Sequence, residues 1–379
     1  METSNNQTAE SAAVQDVLTP QAFRAQFPVF ERLAYLNAGT EGPLPERAAG
    51  AVRERIDLEV GQGRCGKPYF EGLMELASRL RAGYAQVLGC GEAEVALTGS
   101  TTDGVNTVLA GLDLRRGDEI VTSDEEHPGL LAPLGRARSR FGVAIRVVPF
   151  AEVADAATSS TRLIACSHVS WVSGRVADVA SLMASGAPVL LDAAQALGAI
   201  AVDVRGLGCD FYAASGQKWL CGPEGSGCLF VRPDRLDELL IPWPGYGSVA
   251  DPEHALEFEP AEGVKRLDHG FPSGLRSAWA LASLEVLAET GWDWIHERAV
   301  LLAARLADRL GELGREVGPR GRSTLVSWRA EDPQAEVERL AERRFVVRSI
   351  PGAGLVRASV GAWSSEEELE ELAGAAGGR

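Results

Sequence analysis

The sequence predicts an α/β fold: a large domain on a central, mostly parallel seven-stranded sheet, followed by a small α+β C-terminal domain. Three observations carry this. From Val95 to Val231 short apolar runs alternate with helical patterns, as buried parallel strands joined by crossover helices do. After Pro244 that rhythm stops, and a long helical stretch gives way to short strands and an acidic helix. With 379 residues, 45% hydrophobic and 24% charged, the chain is long enough for one large core and a smaller one.

Taken in order, residues 1–17 are polar and acidic, with no basic start or apolar stretch, and are expected to be a disordered tail rather than a signal peptide. Residues 18–60 form an N-terminal segment expected to pack with the small domain. It holds a short helix over Pro20 to Phe30, an extended Leu33-Ala34-Tyr35-Leu36-Asn37 and a Gly/Pro turn from Gly39 to Pro45. Apolar residues at three- and four-residue steps predict amphipathic helices from Pro45 to about Glu59 and from Glu71 to Leu88.

The large domain spans 61–272. Its expected buried strands are Val95-Ala96-Leu97, Glu119-Ile120-Val121, Ala144 to Val148, Leu163 to Cys166, Val189-Leu190-Leu191, Phe211-Tyr212-Ala213 and Cys228 to Val231. Residues 273–379 form the small domain. One helical stretch runs from Ser273 through about Leu313, with strands near Ser323 to Trp328, Val346 to Arg348 and Leu355 to Val360, then a helix from Ser365 to Ala373. The Gly/Ala/Arg end is expected to fray.

The net charge of -16 argues against nucleic-acid and anionic-membrane partners, because an acidic surface repels phosphate. No run approaches the roughly 20 apolar residues that span a bilayer, so a soluble protein is expected. Six cysteines without CxxC pairs or a Cys/His cluster point to reduced cytoplasmic thiols and no metal site.

In a doubly wound sheet, ligands collect where the parallel strands end. Four strand ends carry polar residues. Thr98 to Asn106 opens a helix, and its hydroxyls and exposed amides suit a phosphate, though Ser, Thr and Asp also serve as plain helix caps. His127 follows the next strand and could stack on a ring and handle protons; a lone turn histidine is more often structural. Asp192 closes a strand in Asp192-Ala193-Ala194-Gln195; a buried carboxylate there is costly unless a cation pairs with it. Lys218, in Ser215-Gly216-Gln217-Lys218-Trp219, lies between apolar runs, unlike most surface lysines. An amine for an aldehyde, an anion for a pyridine nitrogen and donors for a phosphate are what pyridoxal 5'-phosphate (PLP) requires.

Two nucleotide motifs are rejected. Gly61-Gln62-Gly63-Arg64-Cys65-Gly66 fits GxGxxG but follows a helical pattern and no strand, so it reads as a loop rimming a site. Trp219 stands where a P-loop needs Ser or Thr after its lysine.

The ordered set Thr101-Thr102, His127, Asp192 to Gln195 and Ser215 to Lys218 resembles the class V branch of fold-type I PLP enzymes, from about Tyr35 to Leu372. The resemblance implies that Thr101, Thr102, Ser215 and Gln217 hold the phosphate and that His127 stacks on the ring. It also implies that Asp192 pairs with the pyridine nitrogen, Gln195 touches the phenolic oxygen and Lys218 anchors the cofactor. Arg357 would clamp a substrate carboxylate, its fork suiting an amino acid. Asn37 would touch the substrate, and Trp171 would contact the cofactor where typical desulfurases carry an asparagine.

Cysteine desulfurases of this branch bear a nucleophilic cysteine on the loop before that arginine strand. Here Arg348-Ser349-Ile350-Pro351-Gly352-Ala353-Gly354 is short and has none. With Trp171 and the opening Tyr35 to Pro45, it looks most like the cyst(e)ine carbon-sulfur lyases, which act by β-elimination. An isopenicillin N epimerase-like racemase, a class V aminotransferase and a non-catalytic PLP-fold regulator are the alternatives. The resemblance further implies a homodimer with active sites at the interface. Phe271 stands where a partner's threonine usually meets the phosphate, leaving that contact absent or passed to Ser273. Loop position suggests Arg64, Tyr69, Trp243 and Tyr246 for the side-chain pocket.

Overall fold

The computed structural model describes residues 19–377; the expected tail over 1–17 lies outside them. The N-terminal segment opens with α1 (Pro20–Arg24), capped by the Thr19 hydroxyl, and reaches a two-residue strand, β1 (Ala34–Tyr35). Phe27 and Phe30 pack on Trp363 with ring centroids 5.3 and 6.2 Å apart, so aromatic burial ties this segment to the C-terminal part of the chain. The helices α2 (Glu46–Gln62) and α3 (Gly66–Leu88) follow. Gly61 to Gly66 is the corner between them, with φ of 77° at Gly63 and 75° at Gly66, a region open to glycine at little cost.

The central sheet then forms from β2 (Val95–Thr98), β3 (Glu119–Ser123), β4 (Ala144–Val148), β5 (Thr161–Ser167), β6 (Val189–Asp192), β7 (Phe211–Ser215) and β8 (Gly227–Val231). Its spatial order is β2-β8-β7-β6-β5-β3-β4. Only β8 runs against its neighbours, β2 and β7; the other pairs are parallel. Crossovers carry α4 (Thr101–Gly111), α5 (Pro128–Phe141), α6 (Val179–Ala184) and α7 (Val204–Leu207). Both faces are covered, which explains the unbroken apolar runs: Val189 and Leu191 enter one core while Leu190, between them, enters the other. The expectation of burial fails at β4. It is the sheet's edge, and Val147 is 54% exposed there.

The single helix expected after Ser273 is two, α8 (Gly274–Thr290) and α9 (Trp292–Glu312). The break is at Gly291, whose φ of 97° no helix accommodates. Although α8 lies past the expected boundary at 273, Ala280, Leu284 and Leu287 join the core beneath β6 and β7. Leu302, Leu306 and Leu310 of α9 instead pack in a separate core with Trp328 and Val356.

The remaining elements are β9 (Leu325–Arg329), α10 (Pro333–Glu342), β10 (Phe345–Val346), β11 (Arg348–Ile350), β12 (Leu355–Ser359) and α11 (Glu366–Ala376). A small antiparallel sheet has the order β11-β12-β9, and β10 pairs in parallel with β1. That pairing joins the N-terminal segment to the C-terminal unit. No helix among the described residues is long and apolar enough to cross a membrane.

Candidate active site

The parallel strands end at one edge of the central sheet, where a cavity of about 230 Å³ opens. Thr101 and Thr102, His127, Trp171, Asp192 and Gln195, and Ser215, Gln217 and Lys218 all line it. Residues spread over more than a hundred positions meet because each directly follows a parallel strand or opens the helix after one.

At one end lies the start of α4, where the Ser100 hydroxyl accepts the Asp103 N–H at 3.1 Å. A Cβ at Gly104 would sit 2.8 Å from the Ala213 Cβ, so glycine lets α4 lie directly on β7, whose last residue is Ser215. The buried Thr101 Oγ1, Ser215 Oγ and Gln217 Oε1 have no hydrogen-bond partner within the protein. An unpaired buried polar group costs about 1–3 kcal/mol. The Thr101 and Ser215 hydroxyls beside the helix N-terminus fit a phosphate, which takes hydroxyl and N–H donors there, whereas Gln217 Oε1 is an acceptor and only the Nε2 of that amide could donate.

Beside them, Asp192 is buried and accepts the Ala194 N–H at 3.0 Å. Burial raises its pKa, against that hydrogen bond and the nearby Lys218 charge. A protonated ring nitrogen would relieve the cost of burying this carboxylate. Burial likewise pushes the Lys218 amine down to about 8, with Asp192 pulling the other way. The backbone under Lys218 is tightly fixed. Gly42 donates its N–H to the Gln217 carbonyl at 2.7 Å, and a Cβ at Gly42 would collide with the Lys218 carbonyl. Cys221 has a φ of 56°, unfavourable for a residue with a side chain. Its carbonyl accepts both Trp279 Nε1–H at 2.9 Å and the Ser283 hydroxyl at 2.8 Å, bonds from α8 that hold the turn.

His127 caps α5: its Nδ1 accepts the Gly129 N–H at 2.9 Å, which leaves the ring proton on Nε2. Burial, then the charges of Lys218, Arg348 and Arg357, lowers its pKa to about 4, so the ring is neutral at pH 7. It meets Trp171 edge to face, with centroids 4.8 Å apart. Gln195 is more engaged than the sequence suggests. Its Nε2 donates to the Gly39 carbonyl at 2.7 Å and its Oε1 accepts Trp219 Nε1–H at 3.1 Å, so its amide ties the Gly39 turn to Trp219.

At the opposite end, Arg357 of β12 is fully buried and lies behind the cavity wall. Its Nη1 donates to the Trp171 carbonyl at 2.7 Å, while Nε and Nη2 have no partner. A Cβ at Gly39 would come within 2.8 Å of Nη2, so glycine leaves that nitrogen room. Burial, then Arg348, pushes the Arg357 pKa down to about 9, which keeps the guanidinium charged at neutral pH. Asn37 is absent from the cavity wall, and its Oδ1 accepts the Thr40 hydroxyl at 2.8 Å.

Sequence reasoning passed over two wall residues. Arg348 pairs directly opposite Arg357 in the β11–β12 hairpin, donates to Thr40 Oγ1 at 3.0 Å and lies 5.8 Å from the Trp171 ring centroid. Two arginines equally spaced about a short Pro/Gly turn were the available signal. Glu41 is the other: burial, then Glu224, raises its carboxyl to about 7, with Lys218 opposing. Four expected pocket residues lie elsewhere in this chain. Arg64 and Tyr69 line a separate groove with Phe70 and Phe271, and Trp243 and Tyr246 are exposed. Ser273 caps α8. None of the six cysteines lines the cavity.

A buried amine and carboxylate beside unpaired phosphate-type donors, on a doubly wound sheet, define a PLP-dependent enzyme of fold-type I. The aminotransferase class-V profile matches residues 69–372, and the chain belongs to that family. It is 35% identical over 251 residues to a cysteine desulfurase of Klebsiella pneumoniae (strain 342), covering 60% of this chain and 61% of that protein. The chain thus spans about three fifths of that relative's length. Isopenicillin N epimerase of Streptomyces clavuligerus is 31% identical over 380 residues, covering 90% of this chain and 93% of that one.

Among solved structures, the cystine C-S lyase C-DES in complex with its reaction product cysteine persulfide has a TM-score of 0.87 at 28% identity, covering 93% of this chain and 99% of that one. A lysine-to-alanine C-DES mutant with glycine covalently linked to its PLP has a TM-score of 0.88 at 28% identity, covering 94% and 99%.

Proposed function

We propose that this enzyme is a carbon-sulfur lyase that eliminates the β-sulfur substituent of cystine or an S-substituted cysteine. The observation that carries the reading is the cavity's arginine side: its wall holds Arg348 and no thiol, and the buried Arg357 lies behind it, opposite Arg348 in the hairpin. Without a cysteine to take sulfur from the substrate, the sulfur must leave with its own bonding electrons. The paired cations Arg348 and Arg357 suit a substrate with two carboxylates, as cystine has.

Thr101, Thr102, Ser215 and Gln217 would hold the PLP phosphate, Asp192 its ring nitrogen and Lys218 its aldehyde. Bound PLP supplies an electron-withdrawing ring that makes the α-proton of an attached amino acid acidic. Lys218 Nζ takes that proton, its lowered pKa making the neutral amine available near neutral pH. Neutral His127 presents Nε2–H to the cavity as a positioned donor. Arg357 and Arg348 orient the substrate carboxylates. The Cβ–S bond breaks, sulfur departs as a persulfide anion, and hydrolysis of the remainder gives pyruvate and ammonia.

The products test this directly. Holoenzyme given cystine should form pyruvate and ammonia in equal amounts; alanine with no pyruvate would refute elimination. Epimerisation is the second reading, favoured by the near full-length match to the Streptomyces enzyme. Solvent deuterium at the α-carbon with inverted configuration would establish it instead. A homodimer suits the exposed Phe70, Trp243, Tyr246 and Phe271. The free cysteines suit a reducing cytoplasm.

A further inference from the structure

Two glutamates precede His127, and each grips the same loop. Glu126 is buried, and its carboxylate accepts the Ser123 hydroxyl together with the N–H and hydroxyl of Ser167; the N–H lies 3.0 Å from both oxygens. Glu125 accepts the hydroxyls of Ser170 and Ser173 on one carboxylate oxygen. Arg175 stands 3.9 Å from its other oxygen. The gripped segment, from Ser167 to Gly174, leaves β5 beside the Asp192 strand end and carries Trp171.

On its far side the same loop meets the small sheet. The Trp171 carbonyl takes the Arg357 Nη1–H, the Val172 carbonyl takes the Ser327 hydroxyl at 2.6 Å, and the Gly174 carbonyl takes the Ser323 hydroxyl at 2.6 Å. The Trp171 ring meanwhile contacts His127, the residue directly after Glu126. Backbone bonds shape this turn, Ser170 N–H to the Arg175 carbonyl at 2.8 Å and Gly174 N–H to the Ser170 carbonyl at 3.0 Å, and the serine bonds anchor it to the segment before His127. The anchored loop presents the Trp171 carbonyl to which Arg357 is hydrogen-bonded.

We propose that Glu125 and Glu126 are positioning residues that set the Arg357 guanidinium through the Ser167–Gly174 loop, and thereby govern affinity for the carboxylate of the amino-acid substrate. The inference rests on the reading of Arg357 as the carboxylate-binding group. Neither glutamate lines the cavity, and the route proposed for their effect is the Trp171 carbonyl.

The test separates carboxylate binding from amine binding. Glycine and methylamine are titrated into PLP-loaded enzyme while the cofactor absorption is followed; the two differ in the carboxylate. Glu125→Ala should weaken glycine on the order of 10-fold, the loss expected of one displaced charge-assisted contact, and change methylamine less than about 2-fold. Glu125→Gln, which keeps an acceptor for the serines, should recover most of the glycine affinity. The double variant Ser170→Ala/Ser173→Ala should reproduce the Glu125→Ala pattern, and it leaves both carboxylates in place should Glu125→Ala fail to fold. Equal weakening of both ligands, or unchanged glycine affinity, would overturn the proposal. Wild-type enzyme with no preference for glycine over methylamine would overturn both this inference and the amino-acid reading, whereas a preference that survives in Glu125→Ala overturns this inference alone.

Discussion

The two ends of the cavity are built from different materials. The cofactor end is made of strand termini in one sheet, where Asp192 and Ser215 close neighbouring strands and α4 rests on β7 through Gly104. The end proposed for the substrate is a hairpin of another sheet: Arg348 lines the cavity and bonds Thr40, while Arg357 lies buried behind the wall, bonded to the Trp171 carbonyl. The first end has unpaired hydroxyls and one unpaired amide oxygen on fixed strand ends. The second has charges on long side chains, held by a turn and a loop. In the proposed reading, chemistry common to the cofactor would belong to the first, and choice among amino acids to the second.

The largest expected effect breaks the cofactor end. Lys218→Ala removes the only amine on the wall and should lower turnover by on the order of 10⁴-fold, at the upper range for a positioned base. A product assay with cystine checks this, and activity within tenfold of wild type would show that another group moves the proton.

A smaller effect divides the two ends. Arg348→Met should raise KM for cystine about 10-fold, a typical loss for one charged hydrogen bond, while kcat changes less than about 2-fold. KM for a monocarboxylate such as S-methylcysteine should stay nearly constant. Parallel rises for both substrates would assign Arg348 to general packing instead of the second carboxylate.

The smallest effect concerns the support beneath the cofactor end. His168 is buried, with Nδ1 2.8 Å from the Tyr212 hydroxyl, and burial lowers its pKa to about 4. The unfolded chain gains a proton at this site as pH falls through about 6.5, whereas the folded chain resists until about 4. Its contribution to stability is therefore whole above that window and falls by about 1.4 kcal/mol per pH unit within it. Melting temperatures at pH 7 and pH 5 should differ less for His168→Gln than for wild type; equal differences would mean that another group dominates.

The cofactor end was legible in the sequence because it depends on local order. An apolar run followed at once by Asp192, or by Ser215 to Lys218, states both a strand and what stands at its tip. The substrate end depends on register across a hairpin and between sheets, which local pattern does not encode. Arg357 was named only through resemblance, and Arg348, its partner across the turn, went unnoticed. Asn37 shows a related limit: its residue type suits a ligand contact, yet it is absent from the cavity wall and Thr40 bonds its Oδ1, whereas Gln195 lines the cavity while also bonded to Trp219. Helix continuity past Thr290 was misread because Gly291 is a single interruption in an otherwise unbroken apolar pattern.

The turn beneath Lys218 combines a backbone that cannot yield with a side chain that must travel. Gly42 and Cys221 bracket its peptide, and α8 grips the Cys221 carbonyl twice. In the role proposed for Lys218, all movement of its amine between cofactor and substrate would fall to four methylenes pivoting on a fixed hinge. Length becomes as strict a requirement as charge: an amine one methylene shorter would keep its base strength yet fall short, because the chain beneath cannot lean forward to close the gap.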